Sequence, residues 1–272
     1  METQGNTSFI FMDTETDGLW KAGCDEYHPD QPRPVQIAFA RYDAQGRENY
    51  AATFLIRPEP EWPALTEHSI SIHGITEDAR RQGVRAVSAV QLLETVIPYG
   101  TLGGHNVGFD TLVLRRFLFE IGAGELADAM LTMPTADTMQ MGIDVCKLPR
   151  RDSGEGYKRP SLTELHQFLF NEPIPGAHDA LVDVRASART FFEMRKRGVE
   201  IQPAVPPRTT GGRDSEEVRQ LLERAKLAKK RGSREEDFVR DQVARFEQYG
   251  DRYLASDKVW SWLKEIASRV TI

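Results

Sequence analysis

Residues 8–13 (SFIFMD), 35–42 (VQIAFARY) and 49–57 (NYAATFLIR) are short runs dense in β-branched and aromatic side chains, and they predict three strands. Between the second and third, DAQGRE predicts a hairpin turn around Gly46. The apolar period then changes. AVSAVQLLETVI carries apolar residues at spacings of three and four and predicts a helix. TLGGHN reads as a short buried strand, FDTLVLRRFLFEIG as a helix stopped by Gly122, and Thr135 to Thr138 as the end of another strand. Further helices are expected at SLTELHQFLF and from about Asp179 to Lys196.

Three strands in a meander, followed by strands alternating with helices, predict an α/β domain with a mixed sheet. Residues 198–212 (GVEIQPAVPPRTTGG) have the Pro, Gly and Thr content of a linker. Beyond it roughly three amphipathic helices are expected. Val218, Leu221, Leu222 and Ala225 mark the first, Val239, Val243 and Phe246 the second, and Val259, Leu263, Ile266 and Val270 the third. The expected organisation is therefore a domain over 1–197, a linker over 198–212 and a small helical module over 213–272.

Composition narrows the class. A chain of 272 residues that is 40% hydrophobic and 28% charged is that of a globular protein. It has no apolar run near 18 residues, so no membrane span is expected. The first residues lack a basic stretch followed by an apolar core, so no secretory signal is expected either. Cys24 and Cys146 are far apart and form no CxxC pattern, which indicates neither a zinc site nor a disulfide framework. The expected compartment is the cytoplasm. A net charge of −6 argues only weakly against a nucleic acid partner, since phosphate contacts need no more than a local basic strip.

The candidate chemistry lies in three separated segments: Asp13 and Glu15 in FMDTETDGL, Asp110 in GHNVGFD, and His178 and Asp183 in HDALVD. Asp13 and Glu15 sit two apart on a predicted strand, so both side chains share a face. Two like charges that close are unfavourable unless a cation lies between them, as at a site for a hard, oxygen-seeking metal such as Mg²⁺. A solvated strand end would also accommodate the pair. Asp110 falls at the start of a predicted helix, where it suits a metal ligand or a simple capping acid. His105 reads as a packing or hydrogen-bonding residue. His178 and Asp183 are five apart and diverge on one helix, so they converge only if His178 lies in the preceding loop. PIPG (Pro173 to Gly176) supports that loop, and Asp179 is a suitable helix cap. A histidine pKa near 6.5 suits a general base. Four carboxylates and an imidazole could hold two divalent cations and supply one base, the equipment for attacking a phosphodiester.

Taken together, DTETDGL on the first strand, HNVGFD opening a helix and H-x-A-x-x-D near the domain end resemble the DEDDh family of 3′–5′ exonucleases, over about residues 8–195. A sister class has Tyr four residues before the final Asp. That position here is Asp179, and the His stands five before, so the His branch fits better. SIHGIT (71–76) and LTELHQFLF make the chain similar to the epsilon proofreading subunits of bacterial DNA polymerase III and their stand-alone relatives. The resemblance implies a ribonuclease H-like fold with a five-stranded mixed sheet, and two Mg²⁺ or Mn²⁺ ions. It implies that Asp13, Glu15 and Asp183 bind the metal carrying the nucleophile, that Asp13, with Asp110 acting partly through water, holds the second, and that His178 takes the proton from water. It further implies contacts to the terminal nucleotide from Thr14, the Gly18–Leu19 turn and His73, with Leu19 wedged against the last bases. For Leu19 an ordinary core position is the alternative, and for His73 a plain turn.

Three segments stay open. Residues 20–34 are long and Pro-rich beside the expected site; they could cover the cleft, select substrate or be a passive loop. KLPRRDSGEGYKRP (147–160) is basic and Gly-containing, a candidate clamp for a nucleic acid backbone through residues such as Arg150 and Arg151, or a solvated loop. The C-terminal helices, with Trp260 and Trp262, could pack internally, dimerise or dock a polymerase or another replication or repair protein. The leading expectation is an exonuclease that removes nucleoside 5′-monophosphates from DNA 3′ ends, preferring single strands. An RNA-directed relative and a catalytically idle nucleic-acid-binding scaffold are the alternatives.

Overall fold

Apolar runs buried on both faces build the centre of the molecule. In the computed structural model, β1 (Phe9–Thr16), β2 (Pro34–Tyr42) and β3 (Glu48–Leu55) form an antiparallel meander. The structure describes residues 8–21, 26–97, 100–150, 156–177, 179–201, 215–228, 235–236, 238–240, 242–243, 246 and 257–269. The β2–β3 turn closes where expected: Gly46 takes φ +82°, and Asp43 Oδ1 accepts the amides of Gln45 and Arg47. β4 (Thr101–Gly104) pairs parallel with β1, and β5 (Thr135–Asp137) parallel with β4. The order β3-β2-β1-β4-β5 is the five-stranded mixed sheet implied by the resemblance.

Helices cover both faces. α3 (Ala86–Glu94) and α4 (Val107–Glu120) pack on one side, where Ile10, Met12, Ile37 and Phe39 of the sheet meet Leu114, Phe117 and Leu118. α7 (Leu162–Phe170) and α8 (Ala180–Lys196) pack on the other, where Phe9 and Phe11 meet Val184, Ala188 and Phe191. Phe191 lies 5.0 Å from Phe9 and 5.3 Å from Phe11 between ring centroids. Gly103 has a steric reason: a Cβ there would stand 2.6 Å from the Phe11 ring.

Four helices were not anticipated from the apolar pattern: α1 (Glu67–His73), α2 (Glu77–Arg81), α5 (Gly124–Thr132) and α6 (Thr138–Cys146). Thr66, Thr76 and Asp137 cap α1, α2 and α6 through their side chains, so local capping outweighs weak periodicity. β1 also runs three residues beyond the expected end at Asp13, and β3 stops two residues short of Arg57.

The chain divides into two compact units, Met1–Pro206 and Pro207–Ile272. The second contains α9 (Ser215–Leu227) and α10 (Asp257–Ser268), with helical residues between 235 and 246. Its own apolar cluster joins Val218, Leu222 and Ala225 to Val239, Trp260, Leu263 and Ile266. Phe238 stacks on Trp262 at 4.0 Å. Among the described residues, no helix is long and apolar enough to cross a membrane. Val270 and most of the expected linker lie outside the described residues.

Candidate functional site

The alternation of β1 decides where each acid points. Phe9 and Phe11 face α8, while Ile10 and Met12 face α4. Continuing that period sends Asp13 and Glu15 to the α8 side and Thr14 to the α4 side. Asp183, in the first turn of α8, meets the first two: Asp13, Glu15 and Asp183 each offer a carboxylate oxygen, all within 4.8 Å of one another.

The start of α8 is fixed at several points. Asp179 Oδ1 accepts the amides of Leu181 (3.0 Å) and Val182 (3.2 Å). Ala180 N donates to Gln36 Oε1 at 3.4 Å, and Gln36 lies opposite Glu15 in the β1–β2 register. The polar helix end therefore docks on the sheet at the level of the acids. Sequence reasoning gave Asp179 its capping role but missed Gln36, whose only signal is a polar residue within a run of apolar ones.

Asp110 arrives from the opposite face; it is not one of the three mutually close carboxylates, but its charge acts on Asp13. Its Oδ1 accepts both Thr14 N (2.9 Å) and Thr14 Oγ1 (2.8 Å), and it is 3% exposed. It is not the N-cap of α4; that is Asn106, in left-handed conformation at φ +69°.

The electrostatics follow from crowding three half-buried acids beside the buried Asp110. Burial first, then the charges of Asp110, Asp183, Glu15 and Asp179, holds the Asp13 carboxyl well above its ordinary range. Burial, then Asp183 and Asp179, raises Glu15 to about 7. Burial raises Asp110 to about 7 although both Thr14 hydrogen bonds pull the other way. A hard divalent cation would reverse this by stabilising the ionised forms, and an all-carboxylate donor set suits such an ion.

The remaining expected residues divide. Leu19 is 77% exposed, so it is not a core leucine. Its turn is braced by Thr16 Oγ1 donating to Gly18 O at 2.7 Å. His73 is the last residue of α1, before the Gly74 cap; its Nδ1 accepts Ile75 N at 3.0 Å, and burial, then the Arg80 charge, lowers its pKa. His105 is a structural residue as expected, bonded to Thr138 Oγ1 and Pro160 O at 3.0 Å each. In the basic segment, Pro149 pairs with Tyr157, Arg150 is exposed, and Lys158 is engaged with Glu164 at 2.6 Å. His178, Arg151 and Cys24 lie outside the described residues.

A family model for exonucleases, RNase_T, matches residues 10–191. The chain belongs to this exonuclease family. The "DNA polymerase III subunit epsilon-like protein" of Rhodobacter capsulatus is 30% identical over 189 residues, 69% of this chain. The chain spans 23% of that relative's length. Among solved structures, exonuclease I of E. coli in a complex with single-stranded DNA shares 20% identity and a TM-score of 0.54, over 81% of this chain and 44% of that one. Exonuclease I from Methylocaldum szegediense shares 24% and 0.51, over 80% and 45%. The nuclease domain of 3′hExo, a DEDDh family member, shares 14% and 0.57, over 75% of this chain and 98% of that one. At these identities the structural likenesses establish the fold of this RNase_T exonuclease domain.

Proposed function

We propose that this protein is a metal-dependent 3′–5′ exonuclease that hydrolyses single-stranded DNA to nucleoside 5′-monophosphates. One observation carries the reading. Asp13 and Glu15 on β1 and Asp183 on α8, far apart in sequence, present carboxylate oxygens within 4.8 Å of one another in an exonuclease-family fold. A folded protein has little reason to gather acids whose protonation it must then force upward, unless a cation compensates them.

In this reading Asp13, Glu15 and Asp183 would hold a Mg²⁺ or Mn²⁺ ion, which would supply activation of the attacking water. Asp13, with Asp110 acting partly through water, would hold a second ion, Asp110 being oriented by Thr14. His178 accepts the proton from the attacking water. Water adds to the terminal phosphorus, the P–O3′ bond breaks, and the shortened strand leaves with a 3′-hydroxyl. Thr14, the Gly18–Leu19 turn and His73 contact the terminal nucleotide. Arg150 and Arg151 contact the backbone, a role that neutralising both tests by lowering the salt dependence of binding.

DNA is favoured because exonuclease I, of like fold, has been captured with dT13 and dA16 oligonucleotides. The rAMP bound to 3′hExo supports RNA as the second reading. The epsilon-like relative supports a polymerase or other replication or repair protein as partner of the C-terminal helices.

The test is progressive digestion. Purified protein is given 3′- and 5′-labelled DNA and RNA single strands with Mg²⁺, Mn²⁺ or EDTA. Loss of the 3′ label first, with laddering of the 5′-labelled strand in metal only, is expected, and Asp13→Ala abolishes it. His178→Ala lowers the rate severely and leaves metal binding largely intact. Full activity of Asp13→Ala would contradict the assignment; RNA cleaved in preference to DNA would select the second reading.

A further inference from the structure

Leu19 is exposed, yet the turn that carries it is fastened on both sides. Before it, Asp17 N donates to Arg33 O at 3.1 Å, and Arg33 N donates to Asp17 Oδ1 at 2.8 Å. After it, Lys21 N donates to Gln31 Oε1 at 2.9 Å, and Gln31 Nε2 donates to Lys21 O at 3.0 Å. The Gln31 amide thus does for Lys21 what a neighbouring strand's backbone would do, and it is 1% exposed. Only Gly18, Leu19 and Trp20 lie between the two clips.

The segment supplying both clips is itself anchored along α4. Arg33 Nε and Nη2 reach Glu120 at 2.8–3.2 Å, and Arg116 Nη1 reaches the same carboxylate at 2.6 Å. Arg116 also donates to the carbonyls of His28 and Pro29, both at 3.3 Å. Arg115 engages Glu26 and donates to Tyr27 Oη at 2.9 Å, while the Tyr27 ring packs on Phe119 at 4.4 Å. Arg115 and Arg116 are both 3% exposed. Burying guanidinium groups is unfavourable unless their donors are satisfied. A passive surface loop does not call for two of them. α4 is also the helix that brings Asp110 to the site, so the Leu19 turn and one of the acids share a support.

We propose that Gln31 is a positioning residue: together with the Asp17–Arg33 clip it presents Leu19 at a fixed place relative to the carboxylates, where the side chain parts the last bases of an entering strand. The identity of what Leu19 meets rests on the exonuclease reading; the clamped turn does not. The alternative is that residues 26–34 merely cover α4 and that the Leu19 turn would hold its place without them.

The test uses the full chain in EDTA and a single-stranded oligodeoxynucleotide with 2-aminopurine next to its 3′-terminal residue. Unstacking raises 2-aminopurine fluorescence. At saturating protein the wild type is expected to raise it, Leu19→Ala to abolish the rise, and Gln31→Ala and Gln31→Met each to halve it or more. Met refills the volume without the amide bonds. A full signal in Gln31→Met with loss only in Gln31→Ala would reduce the role to packing and overturn the proposal. With Mg²⁺, both Gln31 variants are expected to raise KM five- to tenfold with kcat within twofold; a fall in kcat at constant KM would also overturn it. Should the variants not fold, hydrogen exchange of the wild-type Lys21 amide decides. Strong protection supports the clip, and exchange at the rate of an open loop refutes it. A wild type that binds no nucleic acid would contradict the exonuclease reading, leaving that exchange measurement to judge the clamp alone.

Discussion

Each acid of the site was legible to a different degree, and geometry explains the difference. The Asp13–Glu15 pair could be read because the period of a strand is two. Asp183 was harder: five residues from His178, it converges with the others only through the docking of α8, and the resemblance supplied what spacing could not. Gln31 was not legible at all. A glutamine in a polar, Pro-rich loop carries no pattern, and its partner is the backbone of Lys21, brought near by the path of the loop. Thr14 offers a direct test at this scale. A buried hydrogen bond to a charged group is worth about 1.5–3 kcal/mol, so Thr14→Val, which keeps only the backbone bond to Asp110, is expected to lower kcat/KM about tenfold or more and to raise the Mg²⁺ concentration required. Thr14→Ser is expected to restore both, and an unchanged metal requirement would disprove the coupling. The raised acids give a second test. Folded, metal-free protein holds protons on Glu15 and Asp110 up to about 7, whereas the unfolded chain releases them in the ordinary carboxylate range. The folded state therefore binds more protons between those limits. This contribution to stability is complete at acid pH and is lost as the pH rises through about 7. Calorimetry in EDTA is expected to show that loss, with Glu15→Gln and Asp110→Asn each blunting it. A loss of the same size in those variants would place its origin elsewhere.

At the scale of elements, runs of β-forming residues were read correctly and four of the helices were not. β1, β2 and β3 announce themselves by short runs of β-branched and aromatic residues. α1 and α2 have seven and five residues, too few to repeat an apolar stripe, and their real signals are Thr66 and Thr76 with Gly74 closing the first. α5 begins on a glycine and has no side-chain cap, while the signal of α6 is its cap Asp137. The junction between β4 and α4 does the most for the site, because it aims Asp110 at Thr14. Asn106 stands there at φ +69°, with no side-chain capping bond and with its amide donating to Asp137 Oδ1 at 3.0 Å. Left-handed backbone costs an L-residue about 1–2 kcal/mol, and a β-branched one more, but costs glycine nothing. Asn106→Gly is therefore expected to leave denaturant stability within a few tenths of a kcal/mol. Asn106→Val should lose at least about 1 kcal/mol and weaken metal binding with it. Equal stability of the two variants would show that this backbone conformation is not what fixes the junction.

At the scale of the molecule, the fold's contribution is to bring to one end of a sheet what the sequence keeps 170 residues apart, from Asp13 to Asp183. The strand order β3-β2-β1-β4-β5 places the first strand at the centre, flanked by helices on both faces, so that acids from α4 and α8 approach it from opposite sides. Strand positions alone do not reveal that order; the resemblance implied a five-stranded mixed sheet, and the structure supplies the order of its strands. The second unit contributes a separate apolar cluster around Trp260 and Leu263 and none of the acids named above. The account stands or falls on a cation between Asp13, Glu15 and Asp183. Anomalous diffraction from crystals soaked in Mn²⁺ measures that directly. A manganese peak within about 2.0–2.3 Å of oxygens from all three carboxylates is expected, lost in Asp183→Asn. Active protein whose crystals show no peak there, with the three side chains turned apart, would contradict it.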